Sequence, residues 1–401
     1  MSPSSVWRPS TATTTRKAPA PSSRSAPPGS RAADRLSPRA RTRPLRITVL
    51  TSTPLDPREG SGTFVALANF ERGLVTLGHE VEIRPLGRRT GFHTFDRWRY
   101  NVEAVWRPPA RADLVVGCDL DGFLWARRRR QPFVVMLKGI IADELRNERG
   151  WVRVLLGVQA RWERRNTERA DLVLVPSAYS ARIAAEVYAV PPARVAVVPE
   201  AIDLADWQAR FAAAPRRDGA GPTVLAVGRM YPRKRFADLL HAAARLRGVN
   251  PAARVRIVGK GPDWEEMNRM HAGLGLGDTV TLLGDVTRDQ LAAEYVSAQC
   301  FCLPSVQEGF GIVFLEAMAA GLPVVACRTA AVPEVVLDGE TGVLVPPRDP
   351  AALAEALAAM LGNPDRARAL GEAGRRRASA FTPERVAQRF LDTVRLTNEV
   401  L

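Results

Sequence analysis

Cysteine and histidine are scarce in this chain, four of each among 401 residues. A disulfide-built scaffold is excluded, because such scaffolds are short and dense in cysteine. Cys300 and Cys302 are separated by a single residue, which is neither the zinc-ligand nor the C-x-x-C redox spacing, and no histidine lies near them. Together with Cys118 and Cys327 they read as reduced structural thiols, and no metal site is expected. No apolar run reaches the roughly 18 residues of a membrane-crossing helix. The first 45 residues lack the apolar core, roughly 7–15 residues, of a secretory signal. A cytoplasmic protein is the resulting expectation. Acidic residues are in deficit, 42 against 57 basic ones, giving a net charge of +15. Such an excess points to an anionic partner: nucleic acid, a membrane surface or a phosphorylated substrate.

The excess is unevenly placed. Residues 1–45 contain nine basic side chains against one acid, Asp34, so over half of the net charge belongs to this segment. It also holds eight prolines and fourteen Ser or Thr. With so little apolar surface it cannot offset the entropy of ordering, and a disordered tail is expected. Its acid-poor, Ser- and Arg-rich composition suits a solvated anion-binding extension and also resembles an organelle transit peptide.

From residue 46 the pattern becomes that of a folded protein. Residues 47–50 read as a buried strand, 51–62 as a loop with Gly60 and Gly62, and 64–77 as a helix ended by Gly78. With a strand at 81–83 this makes a βαβ unit, the mark of a parallel sheet covered by helices. Further strands are expected at 113–116, 133–137, 171–175 and 195–198, with helices at 151–169 and 178–188. Residues 206–222, rich in Ala, Arg and Gly, read as a break. Strands then resume at 223–227, 254–258, 280–283, 300–303 and 324–326, with helices at 236–246, 264–274, 351–361 and 364–381. Two such runs predict an α/β protein of two doubly wound parallel sheets facing a cleft, with ligands bound beyond the carboxyl ends of the strands.

Two loops at those ends carry candidate chemistry. After strand 223–227, Gly228 is followed by Arg229 and, five residues later, Lys234. Arg forks onto phosphate oxygens and Lys adds a mobile point charge, although a solvated basic loop has the same composition. After strand 300–303 come Glu308, Gly309, Phe310, Gly311 and Ile312. The glycines admit close backbone approach, and a helix starting near Gly311 offers its N-terminus to an anion. Glu308 falls in the turn. Glu316 lies further along among Phe314, Leu315, Ala317 and Met318, where a carboxylate must face a ligand or a buried cation. Carboxylates accept from paired sugar hydroxyls; the alternative is one charge matching the helix dipole and one satisfied structural Glu.

Glu308 and Glu316 form an E-x7-E arrangement inside EGFGIVFLEAMAAGLPVVA. VGRMYPRKRFADLL, VGKGPDWEEM and LLGDVTRDQL lie upstream, and DGETGVLVPPRDPAALAEAL downstream. Together these resemble the GT4 family of retaining, nucleotide-sugar-dependent glycosyltransferases, over residues 46–400 and most densely in the C-terminal half. The resemblance implies a GT-B fold of two Rossmann-like domains. Residues 46–205 would bind the acceptor and 206–382 the donor, and 383–401 would form a helix crossing back to the first. It implies transfer of a hexose-type sugar from a nucleotide-diphosphate sugar to an acceptor hydroxyl, with retention and with no metal or other cofactor. Arg229 and Lys234 would bind the diphosphate, Glu316 the ribose, and Glu308 the transferred sugar, aided by the backbone of Gly309, Phe310, Gly311 and Ile312. The loop 259–262, with Gly261, and the backbone near Val286 would frame the nucleobase, Gly228 would belong to the donor site, and Gly60 and Gly62 to a loop closing over donor and acceptor. The acceptor, whether lipid, saccharide or small molecule, is not specified, and neither is the oligomeric state.

The chain departs from that pattern twice. Lys138-Gly139 stands where many members have His-Gly, on the acceptor side, and Pro199-Glu200-Ala201-Ile202-Asp203 stands where relatives have Asn-Gly before the aliphatic residue. His79 reads as structural and His241 and His271 as packing or surface residues of helices; none replaces the missing histidine. Arginines mixed with Phe92, Phe95, Trp98, Trp106 and Trp151 suit an ordinary solvated face and equally a peripheral contact with the inner face of a membrane. No nucleic-acid module is present. An NAD-dependent oxidoreductase would need GxGxxG after the first strand, which 51–62 lacks. A sugar-nucleotide epimerase and a noncatalytic sugar- or nucleotide-binding protein remain as alternatives.

Overall fold

The computed structural model describes residues 43–53, 62–87, 89–217 and 221–396. Most of the basic tail, Gly60 and residues 397–401 lie outside these. In the first half, β1 (Arg46–Leu50), β2 (Glu80–Arg84), β3 (Leu114–Cys118), β4 (Phe133–Met136), β5 (Leu172–Val175) and β6 (Val195–Val197) form one sheet in the order β2-β1-β3-β4-β5-β6. In the second, β7 (Thr223–Val227), β8 (Arg254–Val258), β9 (Val280–Gly284), β10 (Cys300–Leu303), β11 (Val324–Cys327) and β12 (Gly342–Val345) follow the order β12-β11-β10-β7-β8-β9. Every pairing is parallel.

Helices cover both faces of such sheets, so the inner strands are apolar throughout instead of alternating. β3, β4, β5, β7, β10 and β11 are buried at every residue. β2, an edge strand, alternates Glu80, Val81, Glu82, Ile83, Arg84 and buries none fully. The chain reverses direction across each sheet between two adjacent strands, β1 and β3 in one and β7 and β10 in the other. Ligand crevices open at such switch points. The loops after β7 and β10 are the two that sequence singled out.

Besides β12, for which no strand was expected, three helices differ from expectation. Residues 206–213 of the supposed break belong to the helix Leu204–Ala213, capped by Asp203, whose side chain accepts from Asp206 N at 3.1 Å. Of that helix, only Trp207 is fully buried, so its periodicity is faint. The aromatic and basic stretch contains the helix His93–Trp106. An unexpected helix, Arg288–Ser297, opens with a Thr287/Gln290 capping box.

The helix Pro383–Leu396 lies against Gly62–Thr76 of the first half. It buries Val386, Ala387, Phe390, Leu391 and Val394 in that half's core, with Phe390 edge-on to Phe70 at 4.9 Å. A Cβ at Gly73 would stand 2.1 Å from the Pro383 carbonyl oxygen, so a glycine is required where the helices touch. The linker is anchored beside it: Asn69 Nδ2 donates to Ala201 O at 2.7 Å, and Arg72 pairs with Asp203. The two halves are therefore joined both at the linker and through the C-terminal helix.

Candidate active site

β7 ends at Val227, and Gly228 N donates to Val258 O at 3.0 Å. The backbone then runs against the loop after β8. A Cβ at Gly259 would lie 2.3 Å from Gly228 O, and one at Gly261 would lie 2.6 Å from Met230 N. Gly261 is thus demanded by loop packing whatever ligand lies nearby. Beyond Met230, which is buried, the Tyr231 ring is approached by two guanidinium groups, Arg229 at 5.9 Å and Arg233 at 4.9 Å from its centre. Arg229 is exposed. Val286, half-buried, follows β9 on the same sheet edge.

The loop after β10 is stitched to this one. Val306 N donates to Arg233 O at 2.9 Å, and Lys234 Nζ meets Glu308 Oε1 at 2.5 Å. Both side chains are largely buried. Burial would raise the Glu308 carboxyl, but the Lys234 ammonium and Arg233 outweigh it and hold Glu308 below the usual carboxylate range. Glu308 is therefore an ionised acceptor, and Lys234, with three donors, retains capacity for an anion. Gly311, at φ 92°, turns the chain into the helix Ile312–Ala320; a Cβ there would meet Phe314 at 2.6 Å. The Phe310 side chain packs edge-to-face on Phe381, leaving only its backbone for a ligand. Glu316 is buried and accepts from the Tyr295 hydroxyl at 3.0 Å. Burial pushes its carboxyl up to about 7, against the Tyr295 hydrogen bond and the field of Arg288. Where the sequence asked for a ligand or a buried cation, its protein partner is a phenol, with a more distant guanidinium.

On the facing half, Lys138 follows β4 and its side chain is buried. Its Nζ meets Glu200 Oε2 of the linker at 2.9 Å. Burial disfavours the ammonium, but Glu200 outweighs this and keeps Lys138 above its usual range. The two departures from the family pattern are therefore partners. Gly139 approaches Glu144, and Glu144 Oε1 lies 3.4 Å from Arg233 Nη2 across the cleft. Gln307 Nε2 donates to Asp143 Oδ2 at 3.1 Å. Gly62 begins the helix Gly62–Thr76, exposed and clear of neighbours; residues 54–61 of its loop lie outside the described residues. Sequence reasoning passed over Arg233 although it sits inside the basic loop. It also missed Glu200 as the partner of Lys138, since that pair is 62 residues apart and carries no local pattern.

The profile of glycosyl transferases group 1 matches residues 208–377, and that of glycosyltransferase family 4 matches residues 30–206. A GDP-mannose-dependent alpha-(1-6)-phosphatidylinositol monomannoside mannosyltransferase of Mycolicibacterium smegmatis is 35% identical over 292 residues, 69% of this chain and 72% of that one. A D-inositol 3-phosphate glycosyltransferase of Geodermatophilus obscurus is 38% identical over 229 residues, and the match spans 54% of this chain and 50% of that one. Among solved structures, sucrose-phosphate synthase from Thermosynechococcus elongatus superposes with TM-score 0.73 at 24% identity, covering 89% of this chain and all of that one. An Anabaena protein in complex with UDP and glucose gives 0.68 at 19%, covering 88% and 99%. The chain belongs to glycosyltransferase family 4 and has the GT-B fold.

The Lys138–Glu200 pair yields a stability test. Lys138→Ala leaves Glu200 buried without a cation and should cost about 3–5 kcal/mol. Lys138→His combined with Glu200→Asn should recover most of that loss in urea unfolding. Losses that simply add would show that the two side chains are independent.

Proposed function

We propose that this chain transfers a hexose from a nucleoside-diphosphate hexose to an acceptor hydroxyl, with retention at the anomeric carbon and without a metal ion. The observation that carries this reading is the Lys234–Glu308 pair at the β7/β10 switch point, a charged acceptor and a cation with spare donors on one crevice wall. Arg229 and Lys234 take the diphosphate and offset the charge that develops on it as the sugar departs. Glu308 accepts from hydroxyls of the transferred sugar, and the amides of Gly309, Phe310, Gly311 and Ile312 supply further donors. Glu316 accepts from the ribose. The acceptor oxygen forms its bond to the anomeric carbon on the face from which the phosphate oxygen leaves, and the acceptor proton passes to that phosphate oxygen. Glu308, held ionised by Lys234, does not serve as a general acid. GDP-mannose is the first donor to test, because the name of the mycobacterial relative specifies it.

The acceptor is proposed to be lipid-linked and met at a membrane surface. Phe95, Trp98 and Trp106 are exposed on the helix His93–Trp106, and Trp151, Val152 and Val154 on Gly150–Arg169, beside exposed Arg107, Arg149 and Arg153. The two helices touch through Gln159, which donates to Thr94 Oγ1 at 2.8 Å. Among the described residues no helix is long and apolar enough to cross a membrane.

Three outcomes are expected. Lys234→Ala and Glu308→Ala should each reduce transfer from the accepted donor by about 10²-fold or more, with the thermal midpoint retained; near-normal turnover in both would remove this site. Nucleotide-sugar affinity should climb as pH rises through about 7, where Glu316 ionises and becomes the stronger acceptor, and should be flat in Glu316→Gln. Calorimetry at several pH values reads the difference, and equal slopes would refute the role of Glu316. The chain should co-sediment with phosphatidylglycerol vesicles more than with phosphatidylcholine vesicles. Trp106→Ser with Trp151→Ser should weaken this, separating the face from the basic tail; unchanged sedimentation would discard the face.

A further inference from the structure

The halves exchange hydrogen bonds through groups that the proposed chemistry leaves unused. The helix Ala178–Tyr188 of the first half starts just beyond β5, and Ser177 caps it: its Oγ accepts from Ser180 N at 3.0 Å. The first two helical amides have no partner within their own helix. Ala178 N donates to Glu334 Oε2 and Tyr179 N to Glu334 Oε1, each at 2.7 Å. Glu334 belongs to the second half, on the short helix Val332–Val335 after β11. Its carboxylate therefore satisfies two backbone donors and places a negative charge on the positive end of a helix from the opposite half.

A bond also runs the other way. Ser177 Oγ donates to Gly309 O at 2.8 Å, one residue beyond Glu308. In a trans peptide the following N–H points opposite to the carbonyl. Fixing Gly309 O against Ser177 thus fixes the direction of the Phe310 amide, one of the donors assigned to the sugar nucleotide. The segment leading into Glu334 is bonded to the same loop: Thr329 Oγ1 donates to Val306 O at 3.2 Å and Ala331 N to Glu308 O at 3.3 Å. Arg377 braces it from behind, donating from Nε to Val335 O at 2.6 Å and from its terminal nitrogen to Glu334 O.

We infer that Glu334 and Ser177 are positioning residues, a latch that closes the two halves and sets the Gly309–Phe310 peptide for transfer without touching the donor. This rests on the glycosyltransferase reading above. Opening the cleft returns the Ala178 and Tyr179 amides to water and frees the Gly309 carbonyl, so closure and loop order change together.

The test uses the full chain with GDP-mannose turnover, calorimetry with GDP and with UDP, and small-angle X-ray scattering. Glu334→Ala and Ser177→Ala should lower kcat about tenfold, on the scale of losing one or two hydrogen bonds. Affinity for the nucleotide that binds the wild type should stay unchanged, because its proposed contacts lie on the second half. Ser177→Thr, which keeps the hydroxyl, should restore kcat, and Glu334→Gln should fall between. Unchanged kcat in both alanine variants would overturn the latch, as would equal loss of kcat and nucleotide affinity. Absence of heat with GDP and with UDP in the wild type would defeat the functional reading instead. Scattering then decides the latch alone: Glu334→Ala should have the larger radius of gyration, and equal radii would overturn it.

Discussion

Burial favours the neutral form of a carboxylate unless a cation or donated hydrogen bonds offset it, and the cleft wall of this protein is organised around that constraint. Glu308 sits in a turn after β10, Lys234 in a turn after β7, and 2.5 Å separates them. Neither turn could hold the pair alone. The adjacency of β7 and β10, strands that are distant in sequence, brings the loops together, and the Val306–Arg233 backbone bond fixes their spacing. Glycines at 259, 261 and 311 are the local consequence, since each lies where a Cβ would strike backbone or a packed ring. The ion pair is thus the outcome of sheet topology, and it leaves the crevice with an ionised acceptor next to a cation able to meet a diphosphate.

The facing wall solves the same problem differently. Lys138 and Glu200 occupy positions at which each, read singly, departs from the family pattern. Together they form a neutral buried unit between the end of β4 and the interdomain linker. Replacing two polar residues by an ion pair keeps the linker bound to the first sheet while removing an imidazole from the cleft. Around this, Arg233 to Glu144, Gln307 to Asp143 and Ser177 to Gly309 cross between the halves. Crossing contacts are polar throughout this set, as suits surfaces that must part to admit a substrate.

Most strands were legible because parallel strands buried on both faces appear as short apolar runs. β12 escaped: its Gly-Val-Leu-Val lies inside a polar stretch that reads as a turn. The helix Leu204–Ala213 hid because a single large residue, Trp207, carries its buried face. The helix His93–Trp106 hid because Phe95, Trp98 and Trp106 are exposed and spoil the apolar stripe. As candidates, Arg229, Lys234, Glu308 and Glu316 stand out from charge set among glycine and apolar residues in or after the loops at strand ends. The partners were not. Glu334 and Ala178 lie 156 residues apart and Lys138 and Glu200 lie 62 apart, and only the folded sheets bring them together. Ser177 alone offered a local sign, the N-cap chemistry of Ser-x-x-Ser ahead of an apolar helix.

The central claim is that the Lys234–Glu308 pair marks the place where a nucleoside-diphosphate hexose binds. A crystal structure of the protein with an intact nucleotide sugar tests it most directly. The diphosphate should lie against Arg229 and Lys234, with the Glu308 carboxylate on a sugar hydroxyl and Glu316 on the ribose. A donor bound elsewhere, with Lys234 and Glu308 still paired only to each other, would contradict it.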